Sequence, residues 1–285
     1  MEGRGRRQSS NVEDRRALGG GGRGKAGGIG GLGLLAIVVI GYFLGIDVSP
    51  LLNGGGISPS SSVSSEMTAQ DVAAGEFVSV VLADTEMVWA DLFKSQVRST
   101  YEPVTLVLFK GVTSSPCGDA SGATGPFYCP GDKKIYLDTD FFTTMERQLG
   151  AGGDFAMAYV VAHEVAHHVQ DALGILAQAN EVRAQVSQSE SNAISVRIEL
   201  QADCFSGIWS RQMSQTFGVI EAGDFDEALN AAKQIGDDTL QRNAGQLPIP
   251  HTFTHGTSEQ RQKWFLMGLN SGQMRVCDTF AAKRL

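Results

Sequence analysis

This 285-residue sequence has no C-x-x-C pair, no internal repeat and few basic residues beyond its head. Without a C-x-x-C pair, a zinc site built from cysteines is poorly served. The charge is uneven. Residues 1–25 hold seven Arg and Lys against Glu2, Glu13 and Asp14, a net of +4, so the remainder carries −12 of the overall −8. An acidic main body does not suit nucleic acid, whose phosphates are bound through Lys and Arg. No nucleic-acid partner is expected.

Residues 1–31 are rich in Gly and Arg and almost without aliphatic side chains, so they bury too little apolar surface to offset the entropy of ordering. Residues 1–26 are therefore expected to be a disordered tail. Residues 27–46 lack charge and are mostly Leu, Ile, Val and Gly, about the length that crosses a bilayer as a helix. A buried helix or a cleaved leader is the competing reading, but no A-x-A-like site follows the run. Arg15, Arg16, Arg23 and Lys25 precede it, which by the positive-inside rule puts the tail in the cytoplasm and the rest outside. Residues 47–66, with the string NGGGISPSSSVSS, read as a flexible tether, leaving 67–285 as one domain.

Within that domain, apolar positions at helical spacing predict a helix over 69–98, and 104–109 reads as a strand. The runs 127–129 and 134–137, separated by Pro130-Gly131-Asp132, predict a hairpin. Helices are expected at 139–149, 154–174, 178–217, 224–243 and 258–270. Cys117, Cys129, Cys204 and Cys277 form an even set, for which three pairings exist. Cys117 and Cys129 bracket a Gly-rich loop and are the natural local pair, which leaves Cys204 with Cys277.

The segment before His163 is apolar on nearly every face, so a buried helix carries the string HEVAHHVQ at 163–170. His163 and His167, four apart, project from one side and can grip a single ion. Glu164 is turned about 100° from them, beside the ion but not on it, where it can take a proton from a metal-activated water. Two histidines and a glutamate inside a buried helix need such a partner, because unpaired buried charge is costly. Zn2+ is the expected cofactor.

A third ligand is required. The H-x-x-G-x-x-H route fails at Gln170 and Leu173. A glutamate from a later helix remains, with Glu181, Glu190 and Glu199 as candidates. Glu199 is favoured because Ala202, Cys204, Phe205 and Ile208 make its stretch the most apolar. Asp203, one turn on, can receive the second N–H of a ligating histidine. His168 points away from the pair. In HGTSEQR, 255–261, Ser258 looks like an N-cap. His255 and Arg261 either reach the cleft as catalytic groups that steady an oxyanion, or form a cap and a structural ion pair.

The strings GPFYCP at 125–130, HEVAHHVQ at 163–170, ELQADC at 199–204 and HGTSEQR at 255–261, with the basic head, apolar run and Ser/Gly tether, resemble the bacterial neutral zinc metallopeptidase family. The last two strings are also similar to those of integral-membrane prenyl-protein and stress proteases, with Gly256 where those carry proline. The resemblance implies an α+β, mostly helical, zincin-like domain of gluzincin type with a small sheet, preceded by one transmembrane helix. It implies a membrane-anchored bacterial protease acting on a polypeptide, with its catalytic domain expected outside the inner membrane. An extended substrate is expected to add to the edge of the 127–137 hairpin, the alternative being that this hairpin only covers the core. The competing function is a catalytically silent, zinc-stabilised binding module.

Overall fold

Thr68 opens the first long helix with a reciprocal cap. Its hydroxyl accepts from the Asp71 N–H, and the Asp71 carboxylate accepts from the Thr68 N–H. This helix, α1 (Ala69–Leu92), ends in a wide turn, Phe93–Val97, which Arg98 stops in the left-handed conformation. The computed structural model describes residues 1, 3, 5–17, 67–121 and 124–285.

Strands β1 (Val12–Asp14), β2 (Thr105–Phe109), β5 (Phe127–Cys129) and β6 (Lys134–Asp138) form one sheet in the order β1-β2-β6-β5. The first three run parallel and β5 returns antiparallel to β6, so β5 is an edge. Between β2 and β5 the chain makes a separate ribbon of β3 (Val112–Ser115) and β4 (Gly118–Ser121). Cys117 and Cys129 are bridged, tying this ribbon to the edge strand. Central β2 and β6 are apolar runs because both faces are buried: Leu106, Leu108, Ile135 and Leu137 join the helical core, and Val107, Phe109 and Tyr136 cluster with Ala120 and Cys129.

The rest is helical: α2 (Asp140–Arg147), α3 (Asp154–Ala172), α4 (Ile175–Arg183), α5 (Gln188–Gln212), α6 (Asp224–Gln234), α7 (Asp237–Asn243) and α8 (Ser258–Ser271). Two expected helices are each broken in two. The span 178–217 stops after Arg183, because Ser187 and Glu190 form a capping box that starts α5 anew. The span 224–243 breaks at Ile235 and Gly236. The cap of α8 is Thr257, paired with Gln260, rather than Ser258. α5 and α8 cross almost backbone to backbone. A Cβ at Gly207 would meet the Phe265 carbonyl, and one at Gly268 the Cys204 carbonyl, each at 2.0 Å or less. Near this crossing the Cys204–Cys277 bridge fastens the C-terminal segment to α5.

The expectations for the head of the chain need correcting. Residues 5–17 are not a free tail but lie on the domain. β1 extends the sheet, Arg6 clamps Asp84 at 2.6 and 2.8 Å, and Lys134 meets Glu13 at 2.7 Å. Strand pairing and charge pairing order a segment whose poor apolar content had suggested disorder. The expected membrane helix, 27–46, and tether, 47–66, lie outside the described residues. Among those described, no helix is long and apolar enough to cross a membrane. β1 and β2 hydrogen-bond in one sheet, so the chain on either side of 27–46 lies on the same side of any bilayer. A single crossing would separate them. The spanning helix in the expected fold class and the inner-membrane placement with a cytoplasmic N-terminus are both overturned.

Candidate metal centre

α3 is apolar and buried over most of its length, and it carries His163 and His167 one turn apart. Their rings stand 4.8 Å apart and perpendicular. α5 lies against α3 and brings Glu199 between them, with Oε2 3.1 Å from His163 Nε2 and Oε1 3.5 Å from His167 Nε2. Donor atoms of all three fall within 4.8 Å of one another, a set that could hold a metal ion. The electrostatics fit a cation there. Burial alone would lower the pKa of His163, yet its contacts with Asp203 and Glu199 raise it to about 10. Glu199 is held well below the usual carboxylate range: burial opposes its charge, but the fields of His167 and His163 outweigh it. The pocket therefore favours positive charge where the three groups converge.

Each histidine has its own anchor. Behind His163, Asp203 Oδ1 approaches Nδ1 at 3.0 Å, although poorly aligned for a full hydrogen bond. Asp203 is fully buried, and Arg261 donates to it from Nε at 2.9 Å and Nη2 at 3.0 Å. Tyr159 adds its hydroxyl at 2.5 Å. Behind His167, Gln170 Oε1 sits 2.9 Å from Nδ1. Gln170 Nε2 is committed to donating, to the Ile198 carbonyl at 2.8 Å and to Gln201 Oε1 at 3.0 Å. Its oxygen must then accept, so His167 carries its proton on Nδ1 and leaves the Nε2 lone pair for a metal. Gln201 in turn donates to the Cys277 carbonyl at 3.0 Å.

Glu164 is buried beside this cluster. One carboxylate oxygen, Oε2, has no hydrogen-bond partner among the described residues. Burial pushes its pKa up, against the fields of the two imidazoles and the approach of the Tyr128 N–H of β5. A cavity of about 450 Å³ opens in front, lined by Glu164, the three donor residues and apolar side chains including Phe141, Val160 and Ile198.

His255 lines the same cavity, partly exposed, on a loop that Asp237 holds by accepting the N–H groups of residues 254, 255 and 256 at 2.6–2.8 Å. Burial lowers the His255 pKa, but Asp237 and the charge of Glu199 together raise it. Arg261 touches the cavity wall yet is 1 % exposed, its guanidinium spent on Asp203. Thus His255 faces the open space and Arg261 stands behind a ligand candidate.

Among the alternative glutamates, Glu181 is exposed and Glu190 is consumed in the α5 cap, so only Glu199 reaches the histidines. His168 points elsewhere, bonding the Glu102 carbonyl at 2.8 Å. Three groups were missed by sequence reasoning: Gln170, Gln201 and Asp237. Gln170 had a signal, since a glutamine in the interior of a buried helix, three residues after a ligand candidate, needs a polar partner. Asp237 and Gln201 had none, because their partners are distant in sequence.

The family described as "Putative neutral zinc metallopeptidase" matches residues 1–280. A protein of Escherichia coli K12, "Uncharacterized protein YpfJ", is 46% identical over 286 residues, covering 98% of this chain and 99% of its own. "Uncharacterized protein Rv2575" of Mycobacterium tuberculosis is 40% identical over 243 residues, 80% of this chain and 79% of its own. No solved structure matches the chain. A match that runs from the first strand through the cavity-lining loop of His255 to the last helix leaves no other assignment: the chain belongs to this neutral zinc metallopeptidase family, and its metal is Zn2+.

Proposed function

We propose that the chain is a zinc-dependent endopeptidase in which His163, His167 and Glu199 hold the ion and Glu164 is the general base. The observation that carries this reading is Glu164 itself, a buried carboxylate with an oxygen left bare beside the three donors. Burying an unpartnered charged oxygen costs stability, and a protein that needed the site only for folding has no use for it. When bound, zinc supplies Lewis acidity, polarising a carbonyl and acidifying water. Glu164 takes the proton of the attacking water and hands it to the leaving amine. Its raised pKa suits a group that must both accept and return a proton. His255, with its proton retained by Asp237 and Glu199, donates to the oxyanion of the tetrahedral intermediate. Arg261 acts at one remove, compensating Asp203 and so fixing the ring of His163.

Substrate adds to the sheet edge. Among the described residues β5 pairs only with β6, and Phe127 and Tyr128 line the cavity. The backbone of Tyr128 approaches Glu164, so the unpaired side of β5 lies beside the proposed base, where an extended peptide can add to it. β6 offers no such edge, because it lies between β2 and β5. A proline there would break the sheet itself. Apolar wall residues such as Phe141, Leu149 and Leu240 suit bulky apolar side chains.

The test compares wild type with Glu164→Gln on unfolded protein substrates, with zinc measured in both. Cleavage that falls by 10² or more in the variant while zinc content holds supports the base role. A zinc-loaded wild type that cleaves nothing across a broad panel would identify a silent, zinc-stabilised module instead.

A further inference from the structure

One face of α4 is turned to the cavity. Leu176, Asn180 and Arg183, spaced four and three apart, all line it. Arg183 differs from the other arginine on the wall. Arg261 is neutralised by Asp203, whereas Arg183 has no carboxylate within 4 Å among the described residues. Its hydrogen bonds go to neutral groups, Nε to Ser191 Oγ and Nη1 to Asn180 Oδ1, both at 3.2 Å. An arginine in the last turn of a helix can serve simply to meet the terminal carbonyls. Arg183 does not, since both bonds run to side chains. Ser191 and Asn180 instead fix the plane of the guanidinium, and only Glu199, at a distance, favours its charge. Burial here outweighs that support and lowers its pKa, the signature of a cation lacking its anion.

We propose that Arg183, oriented by Asn180 and Ser191, is a substrate-binding residue that takes a carboxylate of the peptide in the zinc cleft. The carboxylate is either the C-terminus of the peptide or an acidic side chain, since both present the same planar pair of oxygens to the guanidinium fork. The apolar wall and this arginine without a carboxylate partner together select a peptide with bulky apolar residues and one carboxylate. This deepens the peptidase reading and rests on it for the identity of the ligand as a peptide.

Binding is measured separately from turnover. Fluorescent peptides of one apolar sequence are made as the C-terminal acid, as the amide, and as the amide with Glu or Gln scanned through the interior. Their dissociation constants are read by anisotropy on the full zinc-loaded chain carrying Glu164→Gln. At least one carboxylate-bearing peptide should bind about tenfold tighter than its neutral partner, the scale of one charge-assisted contact. That ratio should fall to within about twofold in the double variant with Arg183→Gln and recover in part with Arg183→Lys, which keeps the charge but not the fork. Preference for the acid assigns the C-terminus, and preference for an internal Glu assigns a side chain. Absence of either preference, failure of every peptide to bind, or a ratio indifferent to Arg183→Gln with zinc content and helicity intact would overturn the proposal. Equal weakening of acid and amide would also overturn it, showing that Arg183 grips a backbone carbonyl. The wild type is then tried on the same peptides. Selective binding without cleavage removes the peptidase reading and leaves the carboxylate site; cleavage without selectivity does the reverse.

Discussion

His163 and His167 stand one turn apart on the same helix, yet they are held by opposite kinds of chemistry. His163 rests on charge: Asp203, fully buried and clamped by Arg261 and Tyr159. His167 rests on neutral amides: Gln170, then Gln201, then a backbone carbonyl. The difference has a physical reason. A buried carboxylate makes its histidine a stronger donor but must be compensated, and one compensating arginine fills the space where α5 meets α8. A second buried ion pair at the same centre would double the desolvation penalty. A chain of amides fixes the other ring's tautomer without adding charge. In the proposed site, one side would tune the metal and the other would hold geometry.

The largest break in that comparison is Asp203→Ala. It strands the buried Arg261 guanidinium and should cost about 3–5 kcal/mol of stability, together with a 10–100-fold loss of zinc affinity. Thermal denaturation and chelator competition read the two effects. If Asp203→Ala melts like wild type, the charged anchor is not what holds this side. Gly207→Ala tests the same side indirectly, because its Cβ would collide with the Phe265 carbonyl and push α8 from α5. Stability should fall by a few kcal/mol, and restoring a glycine at another position on α5 should not rescue it.

Gln170→Ala attacks the neutral side and should be milder. It removes the acceptor of His167 Nδ1 and leaves Gln201 and the Ile198 carbonyl each short of a partner, a penalty of about 1–3 kcal/mol. Zinc should weaken about tenfold, less than in Asp203→Ala. Gln170→Glu sharpens the contrast by placing a charge where the fold keeps none. If that variant binds zinc more tightly and stays as stable as wild type, the neutrality of this side has no physical purpose.

The division between what could and could not be read from the sequence follows the same line. His163, Glu164 and His167 are legible because one helix fixes their relation, and Glu199 because its neighbours betray a buried helix face. The hairpin of β5 and β6 announces itself through Pro130-Gly131-Asp132. By contrast, β1 was invisible. A three-residue strand rich in charge has no pattern of its own, and it forms because the edge of β2 pairs with it while Asp84 and Glu86 hold Arg6 and Arg7 of the segment before it. The same blindness led to a membrane topology that the pairing of β1 with β2 contradicts. Composition over 27–46 carries no sign that its two flanks meet in one sheet. The two expected roles of Arg261, a group in the cleft or a structural ion pair, are not separable in the sequence, because Asp203 and open space are equally compatible with it.

The smallest effect expected is at the far end of the amide chain, and it follows from where the Cys204–Cys277 bridge sits. Gln201 Nε2 donates to the Cys277 carbonyl, so the bridge positions the last acceptor in the series that begins at His167. Cys204 also follows Asp203 directly, so reduction is a test of whether the charged side depends on the bridge. It should not, because Asp203 is held by side-chain hydrogen bonds from Arg261 and Tyr159 that do not run through the bridge. Linking residues 73 apart restricts the unfolded chain by about 4 kcal/mol in the entropy model, so reduction lowers global stability. At temperatures where the reduced protein stays folded, however, zinc affinity should fall only about threefold, with Gln201→Ala giving the same loss and no further loss on reduction. Chelator competition on oxidised and reduced protein, with and without Gln201→Ala, measures this. Additive losses in the reduced variant would show that the bridge reaches the metal by a route other than His167.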